Sequence, residues 1–448
     1  METKLPIAAG LAACMLLGTT AGAQEPVWLG DRQYREGAGF LFGDFELHPG
    51  VAVDFGYDSN FFHREATEDP IGALRLRVSP SFSIATLGAQ RRGDAPPPQF
   101  GFRLDTGVTY NEFIPVSGSE LGQANLQENR HLSGFARLNL DILQGETWSG
   151  RVFGGVTRAV RPTNEGLAAD SFNRIAPDAG VELVWTPGSG LLDWRLGYAF
   201  GGTFFEDGDF SGLNNLQNDV TTRGRWRFLP RTALIYDARI GFVSYPSATG
   251  ATAKTNSNPL RTRVGVNGLI TPSFGALAMV GWGASFYSGQ DEDFDSVIAQ
   301  AELKWFFTPA ATSDPMKVSP LLSGLAVGFA RDFQDSYLGT YAEKDQGYVR
   351  FNYLFGGAFL LLAEAAAGAV VFPAQSNPDF GQPAGWTDFR VDGRLFGEYR
   401  VKDYVGIDAE LSYTGYFSST ALAFPNVTGL DRLAYQNIAA FVGARWFM

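Results

Sequence analysis

The sequence predicts an all-β fold: a single antiparallel up-and-down barrel of about 18 strands (about 16–18) that spans a membrane. Three observations predict it. Apolar and polar residues alternate with a period of two in segment after segment, which places them on opposite faces of strands. Short turn-like connectors alternate with long polar ones. No segment offers about 18 consecutive apolar residues, so a chain that enters a bilayer must do so as a closed barrel.

The alternation is clearest in four stretches. In ALRLRVSPSFSIAT, Leu74, Leu76, Val78, Pro80, Phe82 and Ile84 oppose Arg75, Arg77, Ser79, Ser81 and Ser83. In FGFRLDTGVTYN, Phe100, Phe102, Leu104, Val108 and Tyr110 oppose Arg103, Asp105, Thr109 and Asn111. DFRVDGRLFGEYRV sets Phe389, Val391, Leu395, Tyr399 and Val401 against Arg390, Asp392, Arg394, Glu398 and Arg400. YVGIDAELSYTGYF sets Val405, Ile407, Ala409, Leu411 and Tyr413 against Asp408, Glu410 and Ser412. A soluble sandwich also alternates, but its apolar faces must meet in a shared core. Here the pattern continues with no helical block to cover it, as in barrels that are apolar outside and polar inside.

Such segments centre near Val53, Val78, Leu104, Leu138, Val152, Leu183, Leu196, Arg225, Ala238, Val264, Val280, Ala301, Val327, Phe351, Ala365, Leu395, Ala409 and Val442. Tight turns are expected at Gln144, Pro187, Leu229, Thr271, Gly356 and Lys402. Long polar connectors are expected over Phe113 to Glu128, Arg161 to Phe172, Glu206 to Asn218, Pro246 to Pro259, Phe333 to Gln346, Pro373 to Trp386 and Ser418 to Arg432. Outer-membrane barrels have short periplasmic turns and long extracellular loops, so both chain ends are expected in the periplasm. Two periplasmic turns, GAQRRGDAPPP and TPAATSDPMKVSP, are longer than the rest. Trp148, Trp185, Trp194, Trp226, Trp282, Trp305 and Trp446 fall at or near strand ends, where interfacial girdles form.

The start of the chain reads as targeting. Lys4, an apolar run from Leu5 to Leu17 and the small residues before Gln24 form a signal-peptide pattern over 1–23, with cleavage near Ala23. A rival reading takes Leu11 to Cys14 as a lipobox with Cys14 lipidated; either way the protein leaves the cytoplasm. Residues 24–46 read as a periplasmic segment or a lumen plug, and 47–448 as the barrel. Cys14 is the single cysteine, which leaves the mature chain without thiol catalysis or thiolate metal sites. A net charge of −12 excludes nucleic acid as a partner, because phosphate binding needs a basic face.

Catalytic and metal chemistry find little support. His48, His63 and His131 have no partner at metal-ligand spacing, and His131 with Ser133 on one strand face is a weak hydrolytic pair. Asp291, Asp293, Asp295 and Glu302 fit four positions of a calcium-loop template. Ser296 stands where its turn needs glycine, and the strand pattern from Ser296 carries Glu302 away. No catalytic residue, metal or cofactor is expected.

The polar faces carry the functional signal. Lumen-lining candidates are Arg75, Arg77, Arg103, Asp105, Arg223, Arg225, Arg227, Arg261, Arg263, Arg390, Asp392, Arg394, Glu398, Arg400, Asp408 and Glu410. Arg137, Arg195, Arg239, Arg350, Asp54, Asp141, Asp193, Asp237 and Glu302 share those faces. Rows of Arg in a wet lumen offer a path for anionic or hydroxyl-rich solutes; alternatively, the Arg–carboxylate pairs brace the wall.

The first strand, LHPGVAVDFGYDSNFFHRE, resembles the opening of a porin-like family of bacterial outer-membrane barrels. There a Gly-rich strand runs into a Y-D-x-N segment, matched by Tyr57, Asp58 and Asn60. The resemblance implies a Gram-negative outer-membrane pore associated with capsule or exopolysaccharide export. It also implies outer-membrane lipid and a periplasmic polysaccharide-export protein as partners. A passive porin for small solutes and a structural or adhesive surface barrel are the alternatives. The closing run NIAAFVGARWFM places Ile438, Ala440, Val442, Ala444 and Trp446 on one face and Arg445 on the other. Gly443, Trp446, Phe447 and Met448 resemble the signal read by the barrel-assembly machinery, with Phe447 one place before the usual terminal position.

Overall fold

The computed structural model describes residues 39–448 except 68, 88–97, 129–131, 161–172, 189, 207, 248–253, 289–292, 309–322, 337–339, 375–383 and 424–429. The signal-peptide pattern, residues 24–38, His131 and Asp291 lie outside the described residues.

Eighteen long strands build the wall. They are β1 (Phe45–Asp58), β2 (Ala73–Thr86), β3 (Phe100–Pro115), β4 (Leu132–Ile142), β5 (Trp148–Val160) and β6 (Asn173–Trp185). They continue with β7 (Leu192–Phe205), β8 (Asn215–Leu229), β9 (Thr232–Ser244), β10 (Ser257–Thr271), β11 (Phe274–Tyr287) and β12 (Phe294–Phe306). Last are β13 (Gly324–Asp335), β14 (Tyr341–Phe355), β15 (Phe359–Phe372), β16 (Trp386–Lys402), β17 (Val405–Phe417) and β18 (Tyr435–Phe447). Each pairs antiparallel with its chain neighbours, and β18 pairs with β1 from Gly50 opposite Phe447 to Asp58 opposite Ala439. The sheet therefore has no free edge among these strands, which a spanning sheet requires because lipid offers its backbone no partners. All eighteen predicted strand centres fall inside one of these strands. A short strand, Phe40–Phe42, folds back on β1, so ordered pairing begins a little before the predicted barrel start at 47.

Alternation fixes which face is which. On β18, Ile438, Val442 and Trp446 are exposed while Tyr435, Ala439, Phe441 and Phe447 are buried. The register carries this parity around the ring: Val53 faces outward opposite Val78, and Asp54 faces inward opposite Arg77. The outer wall is aliphatic and aromatic, for example Val264, Val280, Leu303, Ile407 and Val442, all at least half exposed. That is the surface a bilayer core covers. The seven predicted girdle tryptophans all lie on it, and Trp148, Trp185, Trp194, Trp226, Trp305 and Trp446 crowd the end that carries the short turns. Those turns use left-handed backbone where it is needed: Gly356 and Gly357 reverse the chain between β14 and β15 at φ of 56° and 73°.

Several predicted connectors hold more structure than their polarity suggests. The β3–β4 connector carries helix α1 (Glu120–Glu128), capped by the Ser119 hydroxyl on the Gly122 amide. The β17–β18 connector contains a small hairpin, Ala421–Ala423 with Leu430–Arg432. Most of the stretch from Phe333 to Gln346 is strand, for a reason given by its packing below.

Candidate functional site

Inner faces of the strands define the lumen. All sixteen lumen-lining candidates fall on them: Arg75 and Arg77 on β2, Arg103 and Asp105 on β3, Arg223, Arg225 and Arg227 on β8, and Arg261 and Arg263 on β10. Arg390, Asp392, Arg394, Glu398 and Arg400 on β16 and Asp408 and Glu410 on β17 complete the set.

These charges are paired, and the pairs are mostly between or along neighbouring strands. Arg75 reaches Asp58 at 3.0 Å, Arg77 reaches Asp54 at 3.5 Å and Arg103 holds Asp105 at 2.7 Å. Arg263 meets Asp237 at 3.4 Å, Arg390 meets Asp392 at 2.6 Å and Arg394 meets Glu410 at 2.6 Å. Glu398 is fully buried between Arg400, at 3.2 Å, and Arg445. Glu182, absent from the sequence-based set, bridges Arg195 and Arg223. It lies in the valine- and leucine-rich second half of β6, where no run of alternating charges gave a pattern from which to find it.

The pairs differ in how they meet the lumen. Along the wall from β3 to β8, the guanidinium is the more exposed partner in the inward-facing pairs of Arg103, Arg151, Arg195 and Arg223. Arg103 is 31% exposed against 10% for Asp105, Arg151 is 45% against 27% for Asp141, and Arg223 is 34% against 8% for Glu182. Arg137, between them on β4, is also exposed. Elsewhere around the ring, Arg75, Arg261, Arg263 and Arg394 are buried. Arg350 and Arg400, towards the short-turn ends of β14 and β16, are again partly open.

The long-loop end is narrowed from inside. The ladder between β12 and β13 stops at Ala299 opposite Arg331, although β12 runs on to Phe294 along β11. Beyond Arg331, β13 pairs only with β14, out to Asp335 opposite Tyr341. This hairpin tip leaves the wall and packs against inward side chains of β10–β12. Asp332 meets Arg261 at 3.0 Å, Phe333 stacks on Phe294 at 4.2 Å, and Asp335 accepts from Ser257 at 2.6 Å and from the Tyr287 hydroxyl at 3.0 Å.

Further apolar clusters sit on inner faces at the same end. Phe61, Phe62, Ile71 and Leu126 close over Phe113 of β3, with Arg75 stacked on Phe61 and Phe113. Phe372, Tyr416, Leu433 and Tyr435 form another, joined by Trp386, which points inward and donates to Asp388 at 2.9 Å. Phe205 packs with Leu213 and Phe210 of the Gly208–Leu213 helical turn. The sector over β4–β6 carries no such cluster among the described residues.

The Y-D-x-N residues brace the seam. Asp58 pairs with Arg75, while the Asn60 amide donates to the carbonyls of Arg64 at 2.7 Å and Gln436 at 3.0 Å and its oxygen accepts from the Arg64 amide at 3.0 Å. His63 stacks on Tyr435 at 4.5 Å and His48 bonds the Met448 carbonyl at 2.9 Å, so both are structural contacts. The calcium-template positions do not converge: Asp295 faces outward and bonds Trp282, whereas Glu302 faces inward beside Arg350. Gly443, in the assembly-signal stretch, lies on the inner face against Asp54 of β1 and Asp408 of β17.

No protein-family model matches the chain, and no match is found among curated proteins. Among solved structures, the outer membrane protein OpdK from Pseudomonas aeruginosa is 9% identical with a TM-score of 0.46, covering 90% of this chain and 99% of that one. OccAB3 from Acinetobacter baumannii is 11% identical with a TM-score of 0.44, covering 91% and 100%. OccK5 (OpdH) from Pseudomonas aeruginosa is 8% identical with a TM-score of 0.44, covering 92% and 100%. Likeness at this level bears on neither substrate nor partner.

Proposed function

We propose that the chain is an outer-membrane pore that passes small solutes passively and prefers anions. One observation carries this reading: along the β3–β8 wall, the inward guanidinium groups of Arg103, Arg151, Arg195 and Arg223 are each more exposed than the carboxylates they pair with. A passing solute meets the cation first, even though the pair is nearly neutral seen from the wall. Fixed charges lining a narrow aqueous path select by sign in this way. The pairing also braces the strands, so the two roles expected of these residues coexist. Signal-directed secretion, short turns facing the periplasm and insertion by the assembly machinery belong to the same proposal.

Export of a capsular or exopolysaccharide, which the family resemblance implies, gains no support from the lumen. The tip of the β13–β14 hairpin and the inner aromatic clusters crowd the long-loop end, which suits small solutes better than a polymer chain. The test is planar-bilayer recording of the purified protein alone. Steady, ohmic current without any added partner is expected; a protein that inserts yet stays silent until a periplasmic export component is added would overturn the passive reading in favour of export.

A further inference from the structure

The wall is interrupted where β12 meets β13. Beyond Ala299 and Arg331, β12 runs on to Phe294 and β13 to Asp335 without pairing with each other. Among the described residues this is the one junction where both strands continue for four residues or more past their shared ladder. A strand edge left open at membrane depth is costly, because lipid offers its backbone no partner. Val297 marks the depth: it faces outward at the split, 56% exposed, opposite the girdle residue Trp282 of β11.

One side chain spans the split. The Nε of Arg331 donates to the Val297 carbonyl at 3.0 Å and its Nη2 to the Ser296 hydroxyl at 3.1 Å, both on β12. The same guanidinium meets Asp345 at 2.9 Å and Glu343 at 2.6 Å, both on β14. It thus stands in for the missing ladder and ties β12 to the β13–β14 hairpin. Behind it, on the lumen side, Phe294, Ile298 and Phe333 form a buried apolar cluster with Tyr341 packed against it. Outside it lie Val297 and Phe329, so apolar surface borders the split on both sides. Carboxylates are in excess around it: Asp295, Asp332, Asp335, Glu343 and Asp345 stand against Arg331, Arg261 and Lys254.

We propose that the split is a lateral portal between the lumen and the leaflet at the long-loop end, for a single-chain amphiphile whose head carries no negative charge. Arg331 bolts it shut. When its bonds to β12 break, Glu343 and Asp345 keep the guanidinium on β14, so the hairpin swings away as one unit. The apolar chain then passes between the Phe294–Ile298–Phe333 cluster and the lipid while the head stays at the polar rim. The excess of carboxylates repels an anionic head there. This route goes beyond the passage of small anions and uses a part of the wall separate from the β3–β8 face.

The test is photolabelling of the full barrel in lipid vesicles with a decyl glucoside that carries a diazirine at its chain end, mapped by peptide mass spectrometry. Label is expected on inward Phe294 and Ile298 as well as on outward Val297, and not on Phe135, which lines the lumen on β4 far from the split. A reversible lock is available, since the Ser257 and Asp335 side-chain oxygens are 2.6 Å apart and the only native cysteine, Cys14, lies in the signal-peptide pattern. In the Ser257→Cys, Asp335→Cys double variant, oxidation is expected to abolish label on Phe294 and Ile298 and to spare Val297, with reduction restoring it. Arg331→Met is expected to raise inward labelling about tenfold, the weight of a bond to a charged group. Each variant is first checked for the heat-modifiable gel migration of a folded barrel. Inward label that the lock leaves unchanged, or that reaches Phe135 equally, means entry through the lumen and overturns the portal. No inward label in wild type or Arg331→Met overturns it too, and equal labelling by a decanoate bearing the same diazirine overturns the solute class.

Discussion

The guanidinium of Arg261 on β10 lies 4.0 Å from the ring centroid of Phe333 on β13, although β11 and β12 separate the two strands in the wall. The contact exists because the β13–β14 tip has folded into the lumen. Arg261→Met removes the Asp332 pair and the cover on Phe333 together. Loss of bonds to a charged group costs about 1.5–3 kcal/mol, here borne by the tip. Hydrogen exchange at Gln334 and Glu343 is expected to speed up about tenfold to a hundredfold, with β2 unchanged and single-channel conductance raised. Unchanged exchange at the tip would show that Arg261 does not hold it.

The assignment of inner and outer faces is tested by one charge placed on each. Val264 is outward and central on β10, so Val264→Arg is expected to cost about 2–4 kcal/mol in the bilayer. Ser81 is inward and exposed on β2, so Ser81→Arg is expected to be nearly neutral. Urea unfolding in lipid vesicles measures both, and equal costs would contradict the assignment.

Closure of the barrel predicts a cross-link. Val53 on β1 stands directly opposite Ala444 on β18, and such pairs have Cα separations of about 4.5–5.5 Å, within disulfide reach. Val53→Cys with Ala444→Cys is expected to form an intramolecular disulfide in the folded protein. Val53→Cys with Ala440→Cys, four residues out of register, is not. Equal yields from both pairs would mean that the seam is open or slipped.

Asn60 separates shape from chemistry. Its amide nitrogen donates to two carbonyls while its oxygen accepts from Arg64. Asn60→Ala is expected to cost about 1–3 kcal/mol for the groups left unsatisfied. Asn60→Asp, although isosteric, sets a carboxylate against two carbonyl oxygens and is expected to cost more. Thermal melting ranks the pair, and an Asp variant at least as stable as wild type would refute the assigned bonds.

Most of the wall was legible because lipid outside and water inside impose one rule on every strand. Val442 and Trp446 against Arg445, or Leu76 and Val78 against Arg75 and Arg77, state that rule in the sequence. The β13–β14 tip was not legible for the same reason. From Arg331 to Asp335 the chain touches protein on both sides, so Arg331, Asp332, Phe333, Gln334 and Asp335 follow no two-residue alternation and read as a polar loop. The lumen charges could be placed on a face, but their relative exposure could not be read. Whether Arg151 or Asp141 stands further into the water depends on side chains from three strands, and no local pattern encodes it.

The central claim is that the lumen presents cations to passing solutes, and the reversal potential of the purified protein in a potassium chloride gradient tests it most directly. Wild type is expected to reverse on the chloride side of zero. Neutralising Arg103, Arg151 and Arg223 to Gln is expected to move the reversal potential towards potassium without abolishing current. A cation-selective wild type, or a selectivity that ignores those three residues, would contradict the account.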